Sequence, residues 1–251
     1  MEWRDDGFVI AQRRHGESAA VVTLLTREHG RHAGLVRGGA GPRHRALLQP
    51  GNLVGAVWHA RLADHLGWYT LEPQAAVAAV LLDDAGRLAA LAAACALAES
   101  CLPERHPYPA LFAGFADLAA ALDGDGPWAA TYVHWEMRLL DELGFGLDLG
   151  ACVVSGAREG LRYVSPRSGR AVAEEAAGPW RDRLLPLPAF LVEDAAPEAA
   201  DVLAGLRLTG MFLARHVLAP HGRSMPPGRD RLVDLLSMAS AASAGVSRGH
   251  P

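Results

Sequence analysis

The hydrophobic period of this chain changes once, at Glu72-Pro73, and that change constrains the fold more than any single motif. Before it, apolar residues come in short runs. In residues 53–63, Val54, Ala56, Trp58, Ala60 and Leu62 fall on one face at period two, the pattern of a half-buried strand. GFVIAQR (7–13), AVVTLLT (20–26), residues 31–37 and WYTLE (68–72) read as four more strands. Turn signals separate them: His15-Gly16-Glu17, Glu28-His29-Gly30, a Gly/Pro loop after Arg37, and His65-Leu66-Gly67. Five short strands in about 70 residues predict a small closed barrel of the OB type, and an SH3-like barrel fits the count nearly as well.

Beyond Pro73 the period is helical. Residues 75–102 are Ala/Leu-rich, broken at Asp83-Asp84-Ala85-Gly86. Leu111, Phe115, Leu118 and Leu122 share one face of 108–122, and Gly124-Asp125-Gly126-Pro127 is a break. Tyr132, Trp135, Leu139, Leu140 and Leu143 then trace a helical stripe, with Gly144 as its cap. Residues 145–192 carry Gly-rich turns around LRYVS (161–165) and predict a short hairpin-like insertion; helices follow at 200–218 and from Arg229 to Met238. The expected organisation is α+β and multidomain. A barrel spans 1–74, a helical domain spans 75–150 and 193–240, an inserted lobe spans 151–192, and 241–251 forms a disordered tail.

Charge is uneven along the chain. All 24 basic residues are arginine. Residues 1–70 hold nine Arg against six acids, 71–150 three against twelve, and 151–251 twelve against ten. A net-positive barrel joined to a strongly acidic segment fits polyanion binding on one side only. Three cysteines make no disulfide framework in a chain of this length. The acidic start MEWRDDGFVI is unlike a signal peptide, and no uninterrupted apolar run reaches a membrane span. A cytoplasmic protein with no membrane partner is expected.

The loop within GLVRGGAGPRHRALLQPG (34–51) places Arg37, Arg43, His44 and Arg45 beside Gly38, Gly39, Ala40 and Gly41. It lacks the Lys-Ser/Thr and helix start of a nucleotide-phosphate loop, and G-x-G-x-x-G, G-x-S-x-G and H-E-x-x-H are also absent. A mobile basic loop on a β-domain suits a phosphate backbone instead. His29-x-x-His32 reads as an exposed pair rather than a metal site. The adjacent acid pairs 5–6, 83–84, 141–142 and 174–175 read as solvated surface. Glu136, beside Trp135 on the apolar stripe, reads as a partly buried carboxylate in an ion pair. No catalytic residue, small-molecule substrate or cofactor is implied.

An ordered set of short motifs then carries a resemblance over roughly residues 1–235. Trp3-x-x-x-Gly7-Phe8-Val9-Ile10 is followed by Arg14-His15-Gly16-Glu17-Ser18, Leu25-Thr26-x-x-x-Gly30-Arg31, Val36-Arg37-Gly38-Gly39 and Leu48-Gln49-Pro50-Gly51. Tyr132-x-x-Trp135-Glu136-x-x-Leu139-Leu140-x-x-Leu143-Gly144-Phe145-x-Leu147-Asp148-Leu149 precedes Cys152, Tyr163-x-Ser165-Pro166-x-x-Gly169 and Leu184-x-x-Leu187-Pro188. Together they resemble the RecO family of bacterial recombination mediators. The resemblance implies an OB-fold, a helical domain and an inserted zinc-ribbon-like lobe. It also implies binding of single- and double-stranded DNA, strand annealing, and help to RecA, with RecR, on strands coated by single-strand-binding protein (SSB). Hydrolytic activity is not implied.

On this resemblance Arg13, Arg14, Arg31, Arg37, Arg43 and Arg45 are the expected phosphate contacts. Arg14 and Arg31 have alternative pairings in Glu17 and Glu28. Arg105 and Arg138 are candidates for the acidic C-terminal tail of SSB, though a plain surface role fits each equally. Trp58 alternates with core residues and is expected inside, not as a stacking platform. The sequence departs from the family's zinc pattern of two C-x-x-C pairs: position 155 is Ser after Cys152, and 170–174 (RAVAE) has no Cys. One cysteine cannot make a four-ligand site, so no metal is expected.

Overall fold

The computed structural model describes residues 1–246, apart from the side chains of Pro42, Arg43 and 243–246. Two compact units emerge. The first comprises Met1–Gly126 with Pro226–Arg229; the second comprises Pro127–Met225 and the residues from Asp230 on. The first unit takes in both sides of Glu72-Pro73, where the hydrophobic period changes.

The first unit is built on β1 (Glu2–His15), β2 (Ala19–Thr26), β3 (Gly30–Val36), β4 (Leu53–His59) and β5 (Trp68–Ala75). They close in the order β1-β2-β3-β5-β4, with β1 pairing both β2 and β4. That is the Greek-key order of an OB-fold barrel, which is partly open by nature. The open side is the β3–β5 seam, a parallel contact registered only at Leu35 and Trp68. Gly34 permits it, because a Cβ there would lie 2.5 Å from the Tyr69 ring.

Inside the barrel, Val9, Ala20, Val22, Leu24, Val36, Val54, Ala56, Trp58 and Tyr69 form one apolar cluster. Trp58 is buried as its period-two position requires, and its Nε1 donates to the Leu66 carbonyl at 3.0 Å. Leu62, expected on the same face, lies past the end of β4 and is exposed. His32 is also inside, not on an exposed turn as the sequence suggested. It is 3% exposed and its Nδ1 meets the Tyr69 hydroxyl at 2.8 Å. His29 stacks on Trp3 at 4.0 Å and pairs with Asp5 at 3.0 Å.

After α1 (Pro42–Arg45) in the loop, the same unit holds α2 (Val77–Val80), α3 (Ala85–Cys101) and α4 (Pro109–Asp123). Asp84 caps α3 by accepting from the Arg87 amide at 2.9 Å. These helices cover the barrel. Phe8 on β1 meets Phe112 and Phe115 at 5.4 and 4.7 Å, and the Cys95 thiol on α3 reaches the Val9 carbonyl. Burial pushes that thiol up to about 12, as expected of an inert core cysteine. Consequently both faces of β2 are buried, including Val21, Thr23 and Leu25.

In the second unit, α5 (Trp128–Glu142) ends in a Schellman motif: Gly144 N–H donates to Asp141, Phe145 N–H to Leu140, and Gly144 takes φ +83°. β6 (Leu161–Val164), β7 (Ala171–Ala173) and β8 (Leu185–Pro186) form a three-stranded sheet, with α6 (Glu174–Ala177) after β7. The expected hairpin is thus a hairpin plus one strand.

The chain continues into α7 (Ala199–Phe212), a π-helical stretch at Leu213–Leu218, and α8 (Pro227–Val246). α5 packs on α7, where the fully buried Glu136 accepts a hydrogen bond from the Thr209 hydroxyl. Ala199–His221 is long and apolar enough to cross a membrane, but more than half of its most apolar stretch is buried, as in a core helix. α8 runs six residues past the expected start of the tail; 247–251 lie outside the described residues.

Burial, with smaller contributions from Arg105 and His29, lowers His32 from 6.5 to about 4. The folded barrel therefore keeps it neutral where the unfolded chain already takes up a proton. Its stabilising contribution is complete above pH 6.5 and is lost as pH falls towards 4, by ~3 kcal/mol at most. Urea midpoints measured at pH 7 and pH 5 should fall more steeply for the native chain than for His32→Gln. Equal slopes would assign the acid sensitivity elsewhere.

Candidate nucleic-acid interface

The strand register sets which arginines can share a surface. Arg13 lies opposite Val21, Val21 opposite Leu35, Leu35 opposite Trp68, and Trp68 opposite His59. Directly opposed residues project to the same side of a sheet. This row points away from the barrel core, which its neighbours Ala20, Val36, Trp58 and Tyr69 fill; Arg13 and Trp68 are exposed on it, while Val21 between them is buried. Arg37 follows the end of β3, and its Cζ lies 5.6 Å from the Trp68 ring centroid. His59 stacks on Trp68 at 5.5 Å with an interplanar angle of 19°.

The glycine loop folds over the same end of the barrel. Ala40 N–H donates to the Ser18 carbonyl at 3.0 Å, and Gly39 N–H to Val36 at 3.2 Å. A Cβ on Gly39 would come within 2.9 Å of the Ala20 Cβ and the Val36 oxygen, so a side chain there would lift the loop away. A groove of about 300 Å³ results, lined by Gln12, Arg14, Ala20, Gly39, Ala40, Gly41 and Arg45. In OB-folds generally the β2–β3 face and the flanking loops take up nucleic acid. Here helices bury the outer side of β2, so the accessible surface shifts to this end.

The expected arginines now separate. Arg37 and Arg45 are exposed and have no carboxylate partner among the described residues. Arg14 is exposed too; it donates to the carbonyls of Gly16 and Glu17, at 3.3 and 2.9 Å, and these leave its charge unneutralised. Arg13 is exposed on the adjoining row. The side chain of Arg43 lies outside the described residues. His44 reaches the Gly38 carbonyl at 3.0 Å.

Arg31 does not belong with them. Its side chain is 14% exposed, donates to the Leu102 carbonyl at 2.7 Å, and faces Glu99 at 3.7 Å and Glu104 at 3.5 Å. It ties β3 to the end of α3, and its charge is answered within the unit. The alternative pairing with Glu28 is not the one formed. Burial still raises the Glu99 carboxyl above its usual range, with Arg31 opposing that shift.

Of the two arginines expected to meet a protein tail, Arg105 holds the β4–β5 loop. It donates to the carbonyls of Ala63 and His65 and faces Asp64 at 3.9 Å. Arg138 is exposed on α5, one turn from His134, whose ring meets Phe190 at 5.5 Å. Burial and then Arg138 lower that histidine. Trp68 was missing from the sequence reading. The signal was available, since it alternates with Tyr69 and must face away from the core if Tyr69 faces in.

In the inserted lobe, Cys152 is buried and its sulfur accepts from the amides of Ala173 at 3.3 Å and Ser155 at 3.5 Å. Burial alone would raise this thiol, but these donors and the Ser155 hydroxyl lower it to about 7. Among the described residues no three His, Cys, Asp or Glu side chains come together as a metal set. The side chains present do not fit a zinc ion. Buried Leu161, Val164, Ala171, Val172 and Leu187 pack the lobe.

Comparison with known proteins agrees with this architecture. Residues 1–73 match the family described as recombination protein O N terminal, and residues 82–225 match recombination protein O C terminal. A DNA repair protein RecO from Rhodospirillum rubrum is 55% identical over 249 residues, covering 96% of this chain and 99% of the relative. RecO proteins from Rhodospirillum centenum and Cereibacter sphaeroides are 52% and 50% identical, over 97% and 94% of this chain and 98% and 99% of the relatives.

Because apolar packing and N–H···S bonds hold the lobe, prolonged dialysis against a strong chelator should leave the thermal midpoint unchanged. Stoichiometric zinc by elemental analysis, or a chelator-induced drop in that midpoint, would overturn the reading.

Proposed function

The chain belongs to the RecO family of DNA repair proteins, and from that premise we propose that the arginine-rich end of its barrel binds DNA through phosphates. One observation carries this. Arg37 and Arg45 stay exposed with no carboxylate partner among the described residues, while Arg31 and Arg105 are held by their own unit. Arg13, Arg14 and Arg43 complete the set. Guanidinium groups on phosphate oxygens carry no base information, so binding is tolerant of sequence.

Neutralisation by these groups lets two anionic strands approach, and base pairing then drives annealing without nucleotide hydrolysis. In this reading the chain anneals complementary strands and, with RecR, assists RecA on strands coated by SSB. Arg138, exposed on α5 one turn from His134, is kept as a candidate for the acidic tail of SSB, whereas Arg105 holds the β4–β5 loop. Nothing in this chemistry requires a bound metal or organic cofactor.

Binding of a labelled oligonucleotide, titrated with salt, tests the assignment. Arg37→Ala/Arg43→Ala/Arg45→Ala should bind about tenfold or more weakly. The log–log salt slope for single strands should become shallower by about 2, at roughly 0.7 for each lost phosphate contact. Arg31→Ala should instead lower the thermal midpoint and leave the slope of the folded fraction unchanged. An unaltered slope in the triple variant would remove the loop from the interface. No binding by the native chain would favour an adaptor acting through proteins, for which annealing of SSB-coated strands with and without RecR is the readout.

A further inference from the structure

Trp68 is a large aromatic side chain left 38% exposed at the edge of the barrel seam. It begins β5 directly after the β4–β5 loop, and its ring is flanked by His59 and Arg37. The His59 side chain is itself steadied by a contact of its Nδ1 with the Glu2 carboxylate at 3.2 Å. Arg37 is held less firmly: it has no carboxylate partner among the described residues, and 5.6 Å to the ring centroid is a loose approach. The ring therefore has a stacked partner in His59 and a displaceable cation in Arg37.

Such an arrangement does something that a phosphate-binding arginine cannot. A phosphate contact is available in single and double strands alike. An exposed aromatic ring can stack only on a base that has left its helix, and every base offers a π-face. Arg37 reaches over the Trp68 ring from the end of β3, where the glycine loop with its further arginines begins. A strand whose phosphates follow these arginines would bring its bases past the Trp68 ring.

We propose that Trp68 is the base-stacking platform that makes this barrel prefer single-stranded over double-stranded DNA, with Arg37 moving from the ring to a phosphate or the far face of the base. The proposal rests on the reading of the arginine end as the DNA-binding surface and adds strand selectivity to it. Trp3 and Trp58 cannot take this role, because Trp58 is buried and Trp3 lies between His29 and the core.

The test compares Trp68→Leu and Trp68→Phe with the native chain. Leucine keeps an apolar strand residue but no π-face; phenylalanine keeps a smaller one. Affinities for a single-stranded oligonucleotide and for the matching duplex are measured at one salt concentration, with thermal midpoints recorded to establish folding. Trp68→Leu should lose roughly 5- to 150-fold in single-strand affinity, the range of one base–aromatic stack. Its duplex affinity should stay within about twofold, and Trp68→Phe should recover most of the single-strand loss.

If Trp68→Leu binds single strands as tightly as the native chain, the platform is wrong, while the arginine interface stands so long as the triple arginine variant is impaired. Equal losses for single strand and duplex would also overturn the proposal, by showing that Trp68 only holds the seam. If the native chain binds neither strand form, both the interface and the platform fail.

Discussion

The narrow seam between β3 and β5 is the constraint on which the rest of the barrel depends. A single parallel registration at Leu35 and Trp68 closes the sheet, with the Leu35 amide donating to Gly67 at 3.1 Å. The approach works because residue 34 has no side chain to meet the Tyr69 ring, and because His32 bonds the Tyr69 hydroxyl from within. Closure turns Tyr69 inward, and the alternation of a strand then turns Trp68 outward beside Arg37. The folding requirement and the candidate interface thus share two adjacent residues.

Arginine is the only strongly basic residue type in this chain, so its several roles cannot be told apart by type. What separates them is the environment within about 4 Å, the range of a direct ion pair. Arg31 faces groups roughly 70 residues away in sequence: the Leu102 carbonyl, Glu99 and Glu104. Arg105 reaches back to a loop some 40 residues earlier. Arg37 and Arg45 sit on a loop that the Gly38–Gly41 turn lays against the barrel end, with no acid from another element among the described residues beside them. Their charges remain open to solvent and to an anion.

Much of the fold was legible because its elements follow from local periodicity. Trp58 is inside because Val54, Ala56 and Trp58 alternate, and α5 stops where Gly144 can take a left-handed turn. His32 was legible in principle, since it shares the parity of Gly34 and Val36; reading it with His29 as a turn pair obscured that. The limits of α8 were not legible, because an Ala/Ser/Gly stretch lacks the apolar stripe that marks a packed helix. The Thr209 partner of Glu136 was equally hidden, being supplied by another helix 73 residues away.

By itself the sequence determined the strand and helix inventory, the family, the missing zinc ligands and the basic character of one end of the barrel. These depend on residue type, order and short-range spacing, which the chain carries directly. Only the tertiary structure decided that α3 and α4 belong with the barrel and bury β2. The same packing decided that Arg31 and Arg105 are internal ties, and that His59 and Arg37 flank the Trp68 ring. The physical reason is common to all three. Desolvation and ion pairing depend on what lies across the fold, and long-range packing sets those neighbours.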